Sequence, residues 1–199
     1  MQKVRRLAGK NIGVVLTGSH CTIGDVLPQI RKIKEEGGIL YPILSFTVND
    51  TDNRFYKVED LKNELRQLGD HPIINTIVGA EPIGPQQLLD AVVVMPATGN
   101  TIAKMANGIV DTPALMAIKA QLRNQRPVII AVSTNDGLGI NARNIGALLN
   151  MKNIYFVPFK QDDPYKKGNS LVAKMDLIVD TIEWAMKGQQ IQPLLLGPA

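Results

Sequence analysis

Short apolar runs that alternate with amphipathic segments constrain the fold of this chain more than any other feature. The runs are IGVVL at 12–16, ILYPIL at 39–44, AVVVM at 91–95, VIIAV at 128–132 and IYFV at 154–157, with INTIV at 74–78 as a weaker candidate. Continuous apolarity, without alternating polar residues, is typical of strands that are covered on both faces in a parallel sheet. We therefore predict an α/β fold, a Rossmann-like, doubly wound, mainly parallel sheet of about six strands with helices on both faces.

The segments between these runs carry helix signals. Apolar residues at helical spacing predict helices over 23–33, 58–68, 113–122 and 170–187. One of Gly37 and Gly38 is expected in a left-handed cap after the first of these helices. Thr112 followed by Pro113 predicts the N-cap and the first residue of the third.

The length and composition favour one domain. The chain has 199 residues, of which 45% are hydrophobic, enough to bury a full core. We expect a single domain over 1–199, with its core at about 10–187 and an irregular C-terminal tail over 188–199. The tail carries Leu194, Leu195 and Leu196, and exposing them would be unfavourable, so it is expected to pack on a neighbouring subunit or on the chain's own sheet.

The composition also argues against several functional classes. No apolar run approaches the roughly 20 residues of a membrane-spanning helix, and the N-terminus lacks the apolar stretch of a secretory signal. We therefore expect a cytoplasmic protein with no membrane partner. Cys21 is the only cysteine, and His20 and His71 show no ligand spacing, so no metal site is expected.

The charge distribution does not favour nucleic acid as a partner. The net charge is +4, but basic and acidic residues are interspersed, and only 5% of the residues are aromatic. The densest basic run, formed by Lys3, Arg5, Arg6 and Lys10, is interpreted as a solvated N-terminal arm.

Polar residues follow four of the apolar runs. Ligands of a doubly wound sheet bind beyond the carboxyl ends of its strands. The residues at these ends are Thr17, Gly18 and Ser19; Ser45 and Thr47; Pro96, Ala97, Thr98, Gly99, Asn100 and Thr101; and Ser133, Thr134 and Asn135. Each loop alone also fits an ordinary turn or helix cap, but together they favour a polar, phosphate-bearing ligand. Neither G-x-G-x-x-G nor the Walker A pattern is present.

The third of these loops is the most informative. Pro96 is expected to end the strand, and Thr98 to cap the helix that follows. Glycine costs about 1 kcal/mol relative to alanine inside a helix. We therefore interpret Gly99 as leaving room for a closely packed ligand.

The stretch DAVVVMPATGNTIAKMANGIVDTPAL, at 90–115, closely resembles the flavoprotein family of homo-oligomeric FMN-containing decarboxylases and related prenyltransferases. The family signature Pro-Ala-Ser-Ala-Asn-Thr stands here as residues 96–101, and Thr17-Gly18-Ser19 resembles the family's first FMN loop. The resemblance, which covers roughly 10–185, implies a homo-oligomer that binds FMN through the loop residues named above.

Two departures separate the chain from the decarboxylases of that family. Those enzymes carry a histidine after the second strand, whereas the segment 43–61 contains none. Their motif Pro-x-Met-Asn-x-x-Met-Trp survives only as residues 133–136, with Asn135 at the matching asparagine. An FMN-dependent decarboxylase of another substrate is therefore a less favoured alternative.

Three further stretches, at 17–30, 133–159 and 161–176, resemble one branch of the family, the second subunits of a two-subunit oxidoreductase of sporulating bacteria. This resemblance implies a partner, the A subunit of that enzyme, with formation of pyridine-2,6-dicarboxylate in the mother cell by oxidation of a dihydropyridine dicarboxylate. One alternative stays open: this chain is a non-catalytic scaffold with an empty or vestigial FMN pocket, and the partner carries the redox step with NAD(P).

The implied chemistry points to a small set of further residues. A substrate with two carboxylates should be flanked by cations, for which Arg143, Lys160, Lys166 and Lys167 are the candidates. If FMN binds, Asn135 is expected near its isoalloxazine ring. His20 lies in the first ligand loop, where it either moves a proton or packs against the adjacent helix.

Overall fold

A computed structural model describes residues 5–197 of the chain. Its strands are β1 (Asn11–Leu16), β2 (Ile39–Leu44), β3 (Ala91–Ala97), β4 (Val128–Thr134), β5 (Ile154–Phe156), β6 (Phe159–Gln161) and β7 (Leu171–Ala173). Its α-helices are α1 (Ile23–Glu35), α2 (Phe46–Asp50), α3 (Val58–Leu68), α4 (Ile77–Ala80), α5 (Gly99–Ala106), α6 (Pro113–Arg123), α7 (Ala142–Leu149) and α8 (Ile178–Met186). No helix within 5–197 is long and apolar enough to cross a membrane.

The strands of residues 5–197 form one seven-stranded sheet. Its parallel part has the order β2-β1-β3-β4-β5, and β7 and β6 continue it as antiparallel strands beyond the end of β4. Helices flank the sheet, with α1 packed on α8 and α4 packed on α6. The predicted doubly wound, mainly parallel α/β fold is confirmed, with seven strands in place of about six. Strand order reverses between β1 and β3, which places the expected ligand edge there.

Burial explains the continuous apolar runs. Every residue of β3 is buried. Every residue of β4 is also buried except the last, Thr134, which is partly exposed. The polar loop residues therefore begin where the strands leave the core. Gly37 takes the left-handed conformation, with φ of 90°, at the end of α1, as the sequence predicted.

Two predicted elements are wrong. In the weak strand candidate at 74–78, only Ile74 pairs with β2, and Thr76 caps α4 by accepting the Gly79 N–H at 3.0 Å. The last helix begins at Ile178 and not at 170, because residues 171–173 pair with β4 and β6 as a strand. The first error arises because a local cap starts a helix at Ile77. The second arises because hydrogen bonds to β4 and β6 override the local periodicity.

The C-terminal tail lies on the chain's own sheet. The Phe159 N–H donates to the Leu194 carbonyl at 3.0 Å, and the Leu196 N–H donates to the Phe159 carbonyl at 3.0 Å. Residues 198–199 lie outside the described part of the chain.

The predicted solvated arm is wrong at Arg6, which is packed against the rest of the chain. Its side chain forms an ion pair with Glu36 at 3.2 Å and another with Asp180, and the adjacent Leu7 is fully buried. Lys3 lies outside the described residues. The prediction failed because the acidic partners come from α8 and the end of α1, which no local pattern connects with Arg6.

Candidate functional site

The loops after β1, β2, β3 and β4 surround two adjoining clefts at the carboxyl edge of the sheet. The first cleft, of about 420 Å³, lies between the loops after β1, β2 and β3. The second cleft, of about 370 Å³, lies between the loops after β1, β3 and β4 and the start of β7. Gly18 and Thr98 line both. The clefts therefore meet at the β1–β3 junction, where sheets of this order bind ligands.

The buried Thr17 hydroxyl joins the loops after β1 and β3. Its Oγ1 donates to the Pro96 carbonyl at 2.7 Å and accepts the Thr98 N–H at 3.1 Å. The sequence predicted that Pro96 ends β3, but the strand continues past it. The register shifts after Val94, and Ala97 pairs again with β4. The role of Thr17 in this geometry is to hold the two loops together.

Thr98 caps α5, as predicted. Its Oγ1 accepts the Thr101 N–H at 3.2 Å and lies 2.9 Å from the Thr101 hydroxyl. The N–H groups of Gly99 and Asn100 lie in the first turn of α5, where backbone N–H groups have no acceptor within the helix. They can therefore donate to an anion.

The structure gives a different reason for Gly99 from the one inferred from sequence. A Cβ at this position would lie 2.6 Å from Thr134 Oγ1 and 2.7 Å from Asn141 Nδ2. The chain's own side chains therefore fill the space that was assigned to a ligand. Gly99 nevertheless lines the second cleft.

Three hydroxyls tie the first loop to the end of β4. Ser133 Oγ lies 2.7 Å from both Ser19 Oγ and Thr22 Oγ1, and the latter two are 3.2 Å apart. Thr22 was not among the predicted site residues, because its partner Ser133 is more than 100 positions away in sequence. The cluster forms one wall of the second cleft.

Ser45 is the clearest sign of a ligand in the first cleft. Only 8% of Ser45 is exposed, and its Oγ has no hydrogen-bond partner within residues 5–197. It occupies the N-cap position of α2 but makes no capping hydrogen bond with its side chain. A buried hydroxyl without a partner costs about 1–3 kcal/mol, so a ligand that supplies an acceptor or donor would remove this cost.

The first cleft also contains a cation. Lys104 of α5 lines it and is paired with Asp111 at 2.5 Å. Thr47, in the first turn of α2, also lines this cleft. A basic side chain, free hydroxyls and a helix N-terminus together suit a phosphate-bearing ligand.

A third hollow, of about 630 Å³, adjoins the second cleft through the shared residues Cys21, Asn135 and Lys167. Lys167 donates to Asp162 at 2.7 Å, and this hydrogen bond raises the pKa of Lys167. Arg54, from the segment after β2, lines the same hollow and has no ion pair with residues 5–197. Cations from two distant segments therefore face one space.

His20 lies beside these clefts. Its Nδ1 is 2.6 Å from the Tyr56 hydroxyl and 3.2 Å from Asn53 Nδ2, both in the segment after β2. Together with Tyr56, the ring also borders a cavity of about 250 Å³. In the described part of the chain, no three His, Cys, Asp or Glu side chains are grouped to hold a metal ion.

Comparison with known proteins agrees with this geometry. The model of the family described as Flavoprotein matches residues 2–187. The chain belongs to the Flavoprotein family.

Among the relatives of this family member, the B subunit of dipicolinate synthase from Bacillus subtilis (strain 168) is 49% identical over 190 residues, which cover 96% of this chain and 95% of that protein. The crystal structure of the dipicolinate synthase B subunit from Bacillus halodurans is 48% identical, with a TM-score of 0.89 over 96% of this chain and 98% of that one. The cypemycin decarboxylase, 22% identical with a TM-score of 0.61 over 78% of this chain and 86% of its own, shares the fold. The predicted resemblance to the family and to this branch is confirmed.

The structure of this Flavoprotein-family chain brings most of the predicted loop residues together. The first cleft is lined by Thr17, Gly18, Ser45, Thr47, Thr98, Asn100 and Thr101, and the second by Gly18, Ser19, Thr98, Gly99, Ser133, Thr134 and Asn135. Of the predicted substrate cations, only Lys167 lines a cleft or the hollow, and the exposed Arg143 and Lys166 and the half-buried Lys160 do not. Arg54, Asn53 and Tyr56 were missed, since no motif marks them.

Proposed function

We propose that this chain is the B subunit of a dipicolinate synthase. Together with the A subunit, it would form pyridine-2,6-dicarboxylate (dipicolinic acid) by oxidising a dihydrodipicolinate-type intermediate during sporulation. The observation that carries the proposal is the 49% identity to a protein of that name, which extends over 96% of this chain and 95% of the relative.

We further propose that FMN binds in the first cleft, with its phosphate and ribityl chain between Ser45, Thr47, Lys104 and the first turn of α5. The unpartnered Ser45 hydroxyl and the cation support this placement. When bound, the flavin supplies the two-electron acceptor that aromatisation of a dihydropyridine requires. Thr17, Thr98 and Ser133 contribute by holding the loops in place, because their hydroxyls already bond to other residues of the chain.

The substrate is proposed to lie in the second cleft and the hollow. Arg54 can bind one carboxylate with two parallel N–H donors, and Lys167 can bind the other as a point charge. Asn135 lies between the two spaces and offers an amide to the ring or to a carboxylate. This arrangement selects a dianion over a monoanion, since each cation has a carboxylate to bind.

The remaining features of the proposal concern assembly and location. We propose a single-domain protein that forms a homo-oligomer, works with the A subunit in the mother-cell cytoplasm, and leaves any NAD(P) to that partner.

The decisive experiment measures dipicolinate formation by ultraviolet absorbance with only the A subunit, with only this chain and with both, adding FMN or NAD(P) in turn. We expect the pair to exceed the isolated A subunit, and the purified chain to bind FMN with a shifted flavin band. Equal activity of the pair and of the isolated A subunit would remove the case for a catalytic role of this chain. Carbon dioxide release by this chain without its partner would instead indicate a decarboxylase.

Ser45→Ala tests the cofactor site without an activity assay. Removing an unpartnered buried hydroxyl should leave the free protein as stable as before or up to about 1 kcal/mol more stable, while FMN binding weakens about fivefold. Thr181→Val is the matched control, because the Thr181 hydroxyl donates to the Leu177 carbonyl at 2.7 Å and Thr181 lines neither cleft. It should lower stability and leave FMN affinity unchanged. Unchanged FMN affinity in Ser45→Ala would contradict the placement.

A further inference from the structure

The amide of Asn53 has a defined orientation beside His20. Its Oδ1 accepts the Phe55 N–H at 2.9 Å and the Tyr56 N–H at 3.3 Å. Its Nδ2 also donates to the Thr51 carbonyl at 3.4 Å and faces His20 Nδ1 at 3.2 Å. A flipped amide would lose the bonds to both backbone N–H groups, so the group that faces His20 is an N–H donor.

This orientation determines which tautomer the neutral His20 ring adopts. Because Nδ1 faces an N–H donor, it must act as an acceptor and carries no proton. Burial raises the pKa of Tyr56, so its hydroxyl stays neutral and can also donate to Nδ1, 2.6 Å away. The proton of the neutral imidazole therefore lies on Nε2.

Nε2 lies close to Gly18, which borders both clefts. A Cβ built on Gly18, which lines both clefts, would lie 3.8 Å from Nε2. Within the described part of the chain, Nε2 has no hydrogen-bond partner. The ring also borders the cavity of about 250 Å³, whose titratable groups are Cys21, Tyr56, Asp60 and Glu64, and of these only Tyr56 bonds to the ring.

We infer that Asn53 and Tyr56 are positioning residues that hold His20 as the neutral Nε2–H tautomer. In this form His20 is a fixed hydrogen-bond donor to an anionic oxygen of the ligand in the clefts. It is not a base that takes up a proton from the substrate. The tautomer follows from the chain alone, whereas the identity of the anion rests on the proposed function and is either a flavin nucleotide or a dicarboxylate.

The tautomer is tested by long-range ¹H–¹⁵N correlation spectra of the imidazole rings at about pH 8.5, above the ordinary histidine pKa of about 6.5. The only other histidine, His71, stacks on Tyr41 at 3.7 Å, and His71→Gln identifies its signals. We expect the Nε2–H pattern for His20 in the wild type. Asn53→Asp replaces the N–H donor by a carboxylate oxygen of the same shape, and should convert His20 to the Nδ1–H form. A wild-type Nδ1–H pattern, or no change in Asn53→Asp, would overturn the inference.

The donor role is tested by calorimetric titration with FMN and, separately, with pyridine-2,6-dicarboxylate. His20→Phe removes the donor and should weaken one of the two ligands about tenfold, whereas His20→Gln keeps an N–H near the position of Nε2 and should retain most of the affinity. The ligand that loses affinity is the one that His20 contacts, and thermal melts identify any variant that fails to fold.

Unchanged affinity for both ligands in His20→Phe would overturn the donor role. Failure of the wild type to bind either ligand would overturn the proposed function together with the donor role. The spectra would still decide the tautomer independently, so the two failures are distinguishable.

Discussion

Replacing Gly99 by alanine tests whether the protein itself, and not a ligand, requires this glycine. The added Cβ would lie 2.6 Å from Thr134 Oγ1 and 2.7 Å from Asn141 Nδ2. Both atoms are held by hydrogen bonds, because Thr134 Oγ1 accepts the Asp136 N–H at 3.2 Å and Asn141 Nδ2 donates to Asp136 Oδ2 at 3.2 Å. Accommodating the methyl group therefore requires at least one of these bonds to break.

The balance of effects predicts destabilisation. Alanine gains at most about 1 kcal/mol over glycine in a helix. Against this stand about 0.5–1.5 kcal/mol for each hydrogen bond lost and about 1–3 kcal/mol of packing strain. We expect a net loss of about 1–3 kcal/mol. At roughly 2–4 °C per kcal/mol for a chain of this length, thermal melts should show the loss clearly.

The assay is urea and thermal unfolding of the ligand-free protein. Gly146→Ala in α7 is the matched control, because a Cβ there would have no atom within 4 Å, so it should leave stability unchanged or raise it. If Gly99→Ala were as stable as Gly146→Ala but bound FMN more weakly, the packing explanation would be refuted and the glycine would serve the ligand.

Three further changes test other parts of the structure. Arg6→Met should lower the free energy of unfolding in urea by about 2 kcal/mol, because it removes the cation paired with Glu36, which is only 4% exposed. Lys57→Met, at an exposed ion pair, is the control, and an equal or larger loss in that variant would contradict this prediction. Thr112→Ala should lower the free energy of unfolding by about 1 kcal/mol, since it removes the acceptor of the Leu115 N–H at the start of α6. Unchanged stability in urea unfolding would disprove this cap. Burial raises the pKa of Tyr56, so the stability that its neutral form contributes should be complete below the ordinary pKa of about 10 and disappear as the pH rises through the higher folded value. Melting temperatures at alkaline pH should accordingly fall more steeply for the wild type than for Tyr56→Phe, and parallel curves would argue against this.

Local chemistry was predictable from the sequence. Strands buried on both faces must be apolar throughout, so the runs identified β1 to β5. The helix caps at Thr98 and Thr112 depend only on a side chain and a backbone N–H three residues later. The motif at 96–101 identified the family, because it lies within one loop and one helix turn.

Tertiary structure alone decided the features that join distant segments. The strand at 171–173 forms because β4 and β6 offer partners, although its own periodicity favoured a helix. Arg6 is held by Glu36 and Asp180, which approach it only when α1 and α8 pack together.

The same division applies to the site. The sequence by itself placed polar residues at the carboxyl ends of the strands, since each such residue adjoins its own apolar run. It could not show that Asn141 occupies the space beside Gly99, or that Asn53 and Tyr56 orient His20. Those contacts bridge more than 30 positions of sequence, and only folding brings the atoms within hydrogen-bond distance.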